Sequence, residues 1–122
     1  MNWSFQADRP IYLQLQEQIK LLIVSGEYPP GSKLPAVRDL AAEASVNPNT
    51  LQKALSELER EGLVFTQRTS GRFVTEDKNM INQVKAELAL DQIVQFFKKM
   101  EDMGYEKRET VELINKAAEE MK

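Results

Sequence analysis

Apolar residues recur at three- and four-residue intervals in several separate stretches of the chain, the spacing of helices that bury one face. The first stretch opens near Asp8 and Pro10, sets Ile11, Leu15, Ile19, Leu22 and Ile23 on one side, and stops around Gly26. A rigid turn follows, Tyr28-Pro29-Pro30-Gly31-Ser32, in which Pro30-Gly31 suits the centre of a type II turn. A short helix over Pro35 to Ala44 then turns Val37, Leu40, Ala41 and Ala44 inward and leaves Arg38 outward. The start of the next helix is the best specified point in the chain. Asn47 can cap free backbone N–H groups, and Pro48 fits the first helical position, where its missing N–H would have no partner. Leu51, Ala54, Leu55 and Leu58 line the inner face of this third helix, with Asn49, Gln52, Lys53 and Ser56 opposite, and Gly62 ends it.

Beyond Gly62 the period changes. Leu63-Val64-Phe65-Thr66 and Arg72-Phe73-Val74-Thr75 are β-branched and aromatic runs joined by Gln67-Arg68-Thr69-Ser70-Gly71, which predicts a small hairpin. Helical spacing then returns. From Asp77 to Met103 a long amphipathic helix carries Ile81, Val84, Leu88, Ile93, Val94, Phe97 and Met100, and Gly104 closes it. A last helix from about Glu106 to Met121 carries Val111, Leu113, Ile114, Ala117, Ala118 and Met121.

Two helices, a tight turn and a hairpin in this order make a helix-turn-helix followed by a wing, a layout that presents side chains to the major groove of DNA. The exposed face of the third helix holds no carboxylate over its first two turns, while Glu57, Glu59 and Glu61 come later. Its start is therefore electropositive and open to phosphate, and its amides and lysine can bond base edges. Such a face is usually only solvated, and the arginines Arg68 and Arg72 at the hairpin tip can serve solubility alone. Beside a helix-turn-helix, a basic wing tip can also reach phosphate or the minor groove.

Composition narrows the classes. The 122 residues contain no cysteine and no histidine, which removes disulfides, thiolate nucleophiles and the usual zinc ligands. No stretch is apolar enough to cross a bilayer and the N-terminus shows no secretory signal, so no membrane partner is expected and the cytoplasm is the expected compartment. No paired acids sit beside a nucleophile and no Gly-rich phosphate loop appears, so an enzyme is not expected and no cofactor is called for. Charge weighs against nucleic acid at first sight. The net charge is −3, and residues 31 to 75 set Lys33, Arg38, Lys53, Arg60, Arg68 and Arg72 against Asp39, Glu43, Glu57, Glu59 and Glu61. The DNA-binding reading then requires Lys33, Arg38, Lys53, Arg68 and Arg72 to gather on one surface. A winged helix that binds only protein is the competing class.

The string Tyr28-Pro29-Pro30-Gly31-Ser32-Lys33-Leu34-Pro35, with Arg38-Asp39-Leu40-Ala41, Val46-Asn47-Pro48-Asn49-Thr50, Glu61-Gly62-Leu63 and Gly71-Arg72-Phe73-Val74, resembles the winged-helix domain of GntR-type transcriptional regulators. The Asn-Pro-Asn-Thr start and the short C-terminal extension resemble the YtrA-type subfamily, small dimeric repressors. The resemblance implies that Arg38 meets a base or phosphate, that Asn47, Asn49, Thr50 and Gln52 enter the major groove, and that Gly71 lies at the minor groove. Two positions depart from the pattern. Ala36 stands where many relatives have a capping serine, a loss of about 1 kcal/mol, and Pro48 stands where many have a base-reading arginine.

The expected architecture is mainly α with a small β-hairpin: a winged helix-turn-helix over residues 1–76, then a two-helix C-terminal dimerisation hairpin over 77–122. The hairpin's helices cannot cover each other's apolar faces, so Ile81, Val84, Leu88, Ile93, Phe97, Met100, Val111 and Ile114 are expected at a two-fold contact. The alternative is that the hairpin folds back on its own winged helix. The expected function is sequence-specific DNA binding by a homodimeric repressor at a palindromic operator, with double-stranded DNA and a second copy as partners. Activation in place of repression, and a small ligand between the C-terminal helices, stay open.

Overall fold

The computed structural model describes residues 3–121; residues 1–2 and 122 of the two expected segments lie outside it. The elements run α1 (Ile11–Val24), α2 (Val37–Ala44), α3 (Pro48–Arg60), β1 (Val64–Gln67), β2 (Gly71–Val74), α4 (Lys78–Asp102) and α5 (Lys107–Glu120). The order is that of a winged helix-turn-helix with two further helices. Among the described residues, no helix is long and apolar enough to cross a membrane.

The chain divides into two compact units, residues 1–85 and 86–122. The division falls inside α4, not at its start.

In the first unit, Leu15, Ile19 and Ile23 of α1, Leu40, Ala41 and Ala44 of α2, and Leu51, Ala54, Leu55 and Leu58 of α3 form one core, closed by Leu34, Leu63, Val64, Val74 and Ile81. Ile11, expected inward, is instead exposed, and Gln14 takes a buried place on α1. That amide is fully used: its Oε1 accepts from the Gln6 N–H at 2.7 Å, and its Nε2 donates to the carbonyls of Gln6 and Arg9, each at 2.8 Å. Gln18 donates to the Ser4 carbonyl at 2.8 Å. The glutamines thus tie the N-terminal arm along α1, and Trp3 and Phe5 pack against the core.

Local chemistry fixes the helix ends. Asn47 Oδ1 accepts from the Asn49 N–H at 2.7 Å, with Pro48 in the first turn. Ala36 gives α2 no side-chain cap, as its missing hydroxyl requires. The α2–α3 turn passes through Ser45 at φ 58°, in the left-handed region, and the Val46 N–H closes back on the Ala41 carbonyl at 3.0 Å. Before α2, the Ser32 N–H reaches the Pro29 carbonyl at 3.0 Å around Gly31, whose φ of 78° is what a type II turn demands.

The strands pair antiparallel, Val64 with Val74, Phe65 with Phe73, Thr66 with Arg72 and Gln67 with Gly71. Residues 32–34 lie on the other edge of β2, through Leu34 N–H to the Arg72 carbonyl at 2.8 Å and Val74 N–H to the Ser32 carbonyl at 2.9 Å. The wing is thereby fastened to the segment that leads into α2.

In the second unit, Met100 and Thr110 are buried. Glu109 Oε1 accepts from the Glu106 N–H at 2.9 Å to start α5. Leu90, Ile93, Val94, Phe96, Val111, Leu113 and Ile114 are exposed.

Candidate nucleic-acid interface

The face of α3 opposite the core is polar and open. Asn49, Gln52, Lys53 and Ser56 are exposed, as their spacing from Leu51, Ala54, Leu55 and Leu58 requires. No acidic residue stands in the first turn of α3, and Arg60 lies in its last turn, ion-paired with Glu57. The dipole's positive end is therefore met by the neutral Asn47 cap and by no carboxylate of the first turn. At ~1.5 Å per residue this helix is about 20 Å long, and a major groove about 12 Å wide admits it lengthwise. Asn47 is exposed with its Oδ1 taken by the cap, and Thr50 is half-buried. Of the residues expected in the groove, Asn49, Gln52 and Lys53 keep side chains on the open face.

A second candidate surface belongs to the wing. The loop into α2 and the wing enclose a groove lined by Lys33, Pro35, Asp39, Thr66, Arg68, Gly71 and Arg72. The groove brings Lys33, Arg68, Gly71 and Arg72 together, whereas Arg38 and Lys53, which the DNA-binding reading also places on this surface, do not line it. Gly71 takes φ 105°, and a Cβ there would stand 3.1 Å from the Lys33 side-chain Cε. Glycine at the wing tip lets the lysine stem cross it closely. Lys33, Arg38 and Arg68 are exposed and form no ion pair among the described residues.

Arg72 departs from the expectation. It sits two residues before buried Val74, so strand alternation turns it toward α3 and away from the tip. There its Nε donates to Glu59 Oε1 at 2.6 Å, and the cross-strand neighbour Thr66 donates its hydroxyl to the same oxygen at 2.6 Å. The side chains of Arg72 and Glu59 are 17% and 30% exposed. Partial burial of Glu59 pushes its carboxyl pKa up, but the Thr66 and Arg72 hydrogen bonds and the guanidinium charge outweigh that and hold it below the ordinary value. Arg72 is thus a brace between the recognition helix and the wing. Glu59 and Thr66 belong to the same brace; the signal for them was Arg72's parity with Val74. On the other strand face Phe65 and Phe73 stack with centroids 5.9 Å apart.

The expected dimer residues also divide. Ile81 is 7% exposed and belongs to the winged-helix core, with Val84 packed against it. The first turns of α4 close the first unit, which leaves Ile81 buried and Val84 half-buried. Met100 is buried, and Leu88 and Phe97 are half-buried, whereas Ile93, Val111 and Ile114 are exposed.

Comparison with known proteins decides the family. The model for bacterial regulatory proteins of the gntR family matches residues 11–74, which spans α1 through the end of the wing. The chain belongs to the GntR family. It is 41% identical over 112 residues to the HTH-type transcriptional regulator YhcF of Bacillus subtilis, covering 92% of this chain and 93% of that one. It is 36% identical over 118 residues to the HTH-type transcriptional repressor YtrA of the same organism, covering 96% and 91%. A GntR family transcriptional regulator from Listeria monocytogenes superposes with a TM-score of 0.82 at 37% identity, over 92% of this chain and 98% of that one. The DNA-binding domain of AraR, solved in complex with operator ORX1, has a TM-score of 0.57 at 29% identity, over 62% and 96%. As a GntR-family protein the chain is a DNA-binding transcriptional regulator and not an enzyme, and its likeness to YtrA agrees with the Asn-Pro-Asn-Thr signature.

Proposed function

We propose that this GntR-family regulator works as a cytoplasmic homodimer that binds a palindromic operator and represses transcription by occupying it. The carrying observation is the acid-free, exposed first half of α3, together with the basic Lys33–Arg68 groove of the wing. Asn49 and Gln52 would read base edges, Gln or Asn pairing best with adenine; Arg38, Lys53, Lys33 and Arg68 would meet phosphates or bases. Pairing is supported by the apolar surface of the second unit. Phe96, Leu113, Ile114, Ala117, Ala118 and Met121 line an open apolar hollow, and a contiguous apolar patch of this kind marks an association site. A closed two-fold pair would leave that surface covered and set two copies of α3 on one side of a duplex. On this reading the unit of residues 1–85 serves DNA and the unit of residues 86–122 serves pairing.

Selection of duplexes from a random pool by the full chain, with sedimentation of the free protein, tests the proposal. Inverted half-sites about one helical turn or a small multiple apart, bound by a dimer, are expected. A folded monomer that enriches no duplex would overturn it.

A further inference from the structure

Lys53 is not a free arm. Its ammonium lies over the ring of Tyr12, 3.8 Å from the centroid. The two residues come from different helices. Tyr12, on the first turn of α1, is half-buried and packs against the core, while Lys53 lies on the exposed face of α3. Leu15 and Ile19 of α1 and Leu51 and Leu55 of α3 are fully buried in one core, so the ring is held at a fixed place beside the recognition face. A ring face carries negative quadrupole, which attracts the cation on one side and leaves its other directions open to an anion. Lysine otherwise loses much rotamer freedom on making a contact.

We infer that Tyr12 is a positioning residue for DNA recognition: its ring places the Lys53 ammonium at the edge of the α3 face before DNA arrives. The inference rests on the DNA-binding reading above. A phosphate then meets a cation already in place, and less ordering accompanies binding.

The test uses the full chain and a duplex that the wild type recovers from a random pool. Tyr12→Phe keeps the ring and should bind within about twofold of wild type, whereas Tyr12→Leu should bind about two- to fivefold more weakly. In a Lys53→Ala background, Tyr12→Leu should cost nothing further. Pentafluorophenylalanine at position 12 keeps the shape and reverses the quadrupole; it should behave as leucine does, and so serves if Tyr12→Leu folds poorly. In the free protein, the Lys53 ε-methylene protons should be shifted upfield by the ring in wild type and Tyr12→Phe only. No such ring-current shift, equal affinity of the Leu and Phe variants, or a Tyr12→Leu loss that persists without Lys53 would each overturn the inference. A wild type that shows the ring-current shift yet recovers no duplex would overturn the DNA-binding reading, and this inference with it.

Discussion

Replacing Arg72 by alanine should loosen the wing from the recognition helix while leaving most DNA contacts intact. The guanidinium and the Thr66 hydroxyl share Glu59 Oε1, each at 2.6 Å, in a site where Arg72 is 17% and Glu59 30% exposed. A hydrogen bond to a charged group contributes about 1.5–3 kcal/mol, and a fully exposed ion pair about 0–1. Water can reach the orphaned Glu59, and Thr66 still donates to it, so the loss falls between these limits, at about 1–2 kcal/mol. For a domain of this size that lowers Tm by roughly 5–15 °C. The pairwise share is isolated by a double-mutant cycle with Glu59→Gln, where the coupling should reach about 1 kcal/mol. The effect also has a pH signature. The depressed carboxyl of Glu59 makes the brace fully effective above its ordinary value of 4.5 and progressively lost as pH falls below it through the folded pKa, so the Arg72→Ala penalty should shrink in acid. In DNA binding, Arg72→Ala should leave the salt dependence unchanged, whereas Arg68→Ala at the open tip should reduce the slope by about one. Equal penalties for Arg72→Ala with and without Glu59, and a salt slope that falls on losing Arg72, would refute the brace and return Arg72 to the DNA.

Three further substitutions test the α2 cap, the winged-helix core and the apolar face of α5. Ala36→Ser supplies the absent cap of α2, whose position 36 already has extended backbone, and should raise stability by about 1 kcal/mol in chemical denaturation. Ile81→Ala opens the winged-helix core from α4 and should cost about 2–4 kcal/mol with the sedimentation of the folded fraction unchanged. Ile114→Glu places a charge on the exposed apolar face of α5 and should shift sedimentation from dimer to monomer while the winged helix melts as before.

Local signals located the recognition helix, although the same spacing placed Ile11 of α1 inward where it is exposed. The Asn47 cap and Pro48 locate the start of α3, and three-and-four spacing alone picks out Leu51, Ala54, Leu55 and Leu58 as its buried face. What escaped depended on a partner outside the element itself. Gln14 is buried because Gln6 and Arg9 offer backbone groups to it, a match that periodicity cannot express. Ile81 and Val84 follow the same helical spacing as the residues beyond them, and only the tertiary structure assigns them to the winged-helix core. Arg72 was legible in principle, since it shares the parity of Val74, but a charged residue near a loop suggests solvent until Glu59 is known to face it. The candidate site divides the same way: the exposed α3 side chains follow from the period, whereas the Lys33–Arg68 groove depends on residues 32–34 pairing with β2.

The central claim is that the open face of α3 reads bases in two symmetric copies. Parallel random-duplex selections by the wild type and Gln52→Ala test it most directly. The variant should lose preference at one base position in each of two inverted half-sites and keep the rest of the motif. An unchanged motif, or a loss confined to one side of it, would contradict the claim.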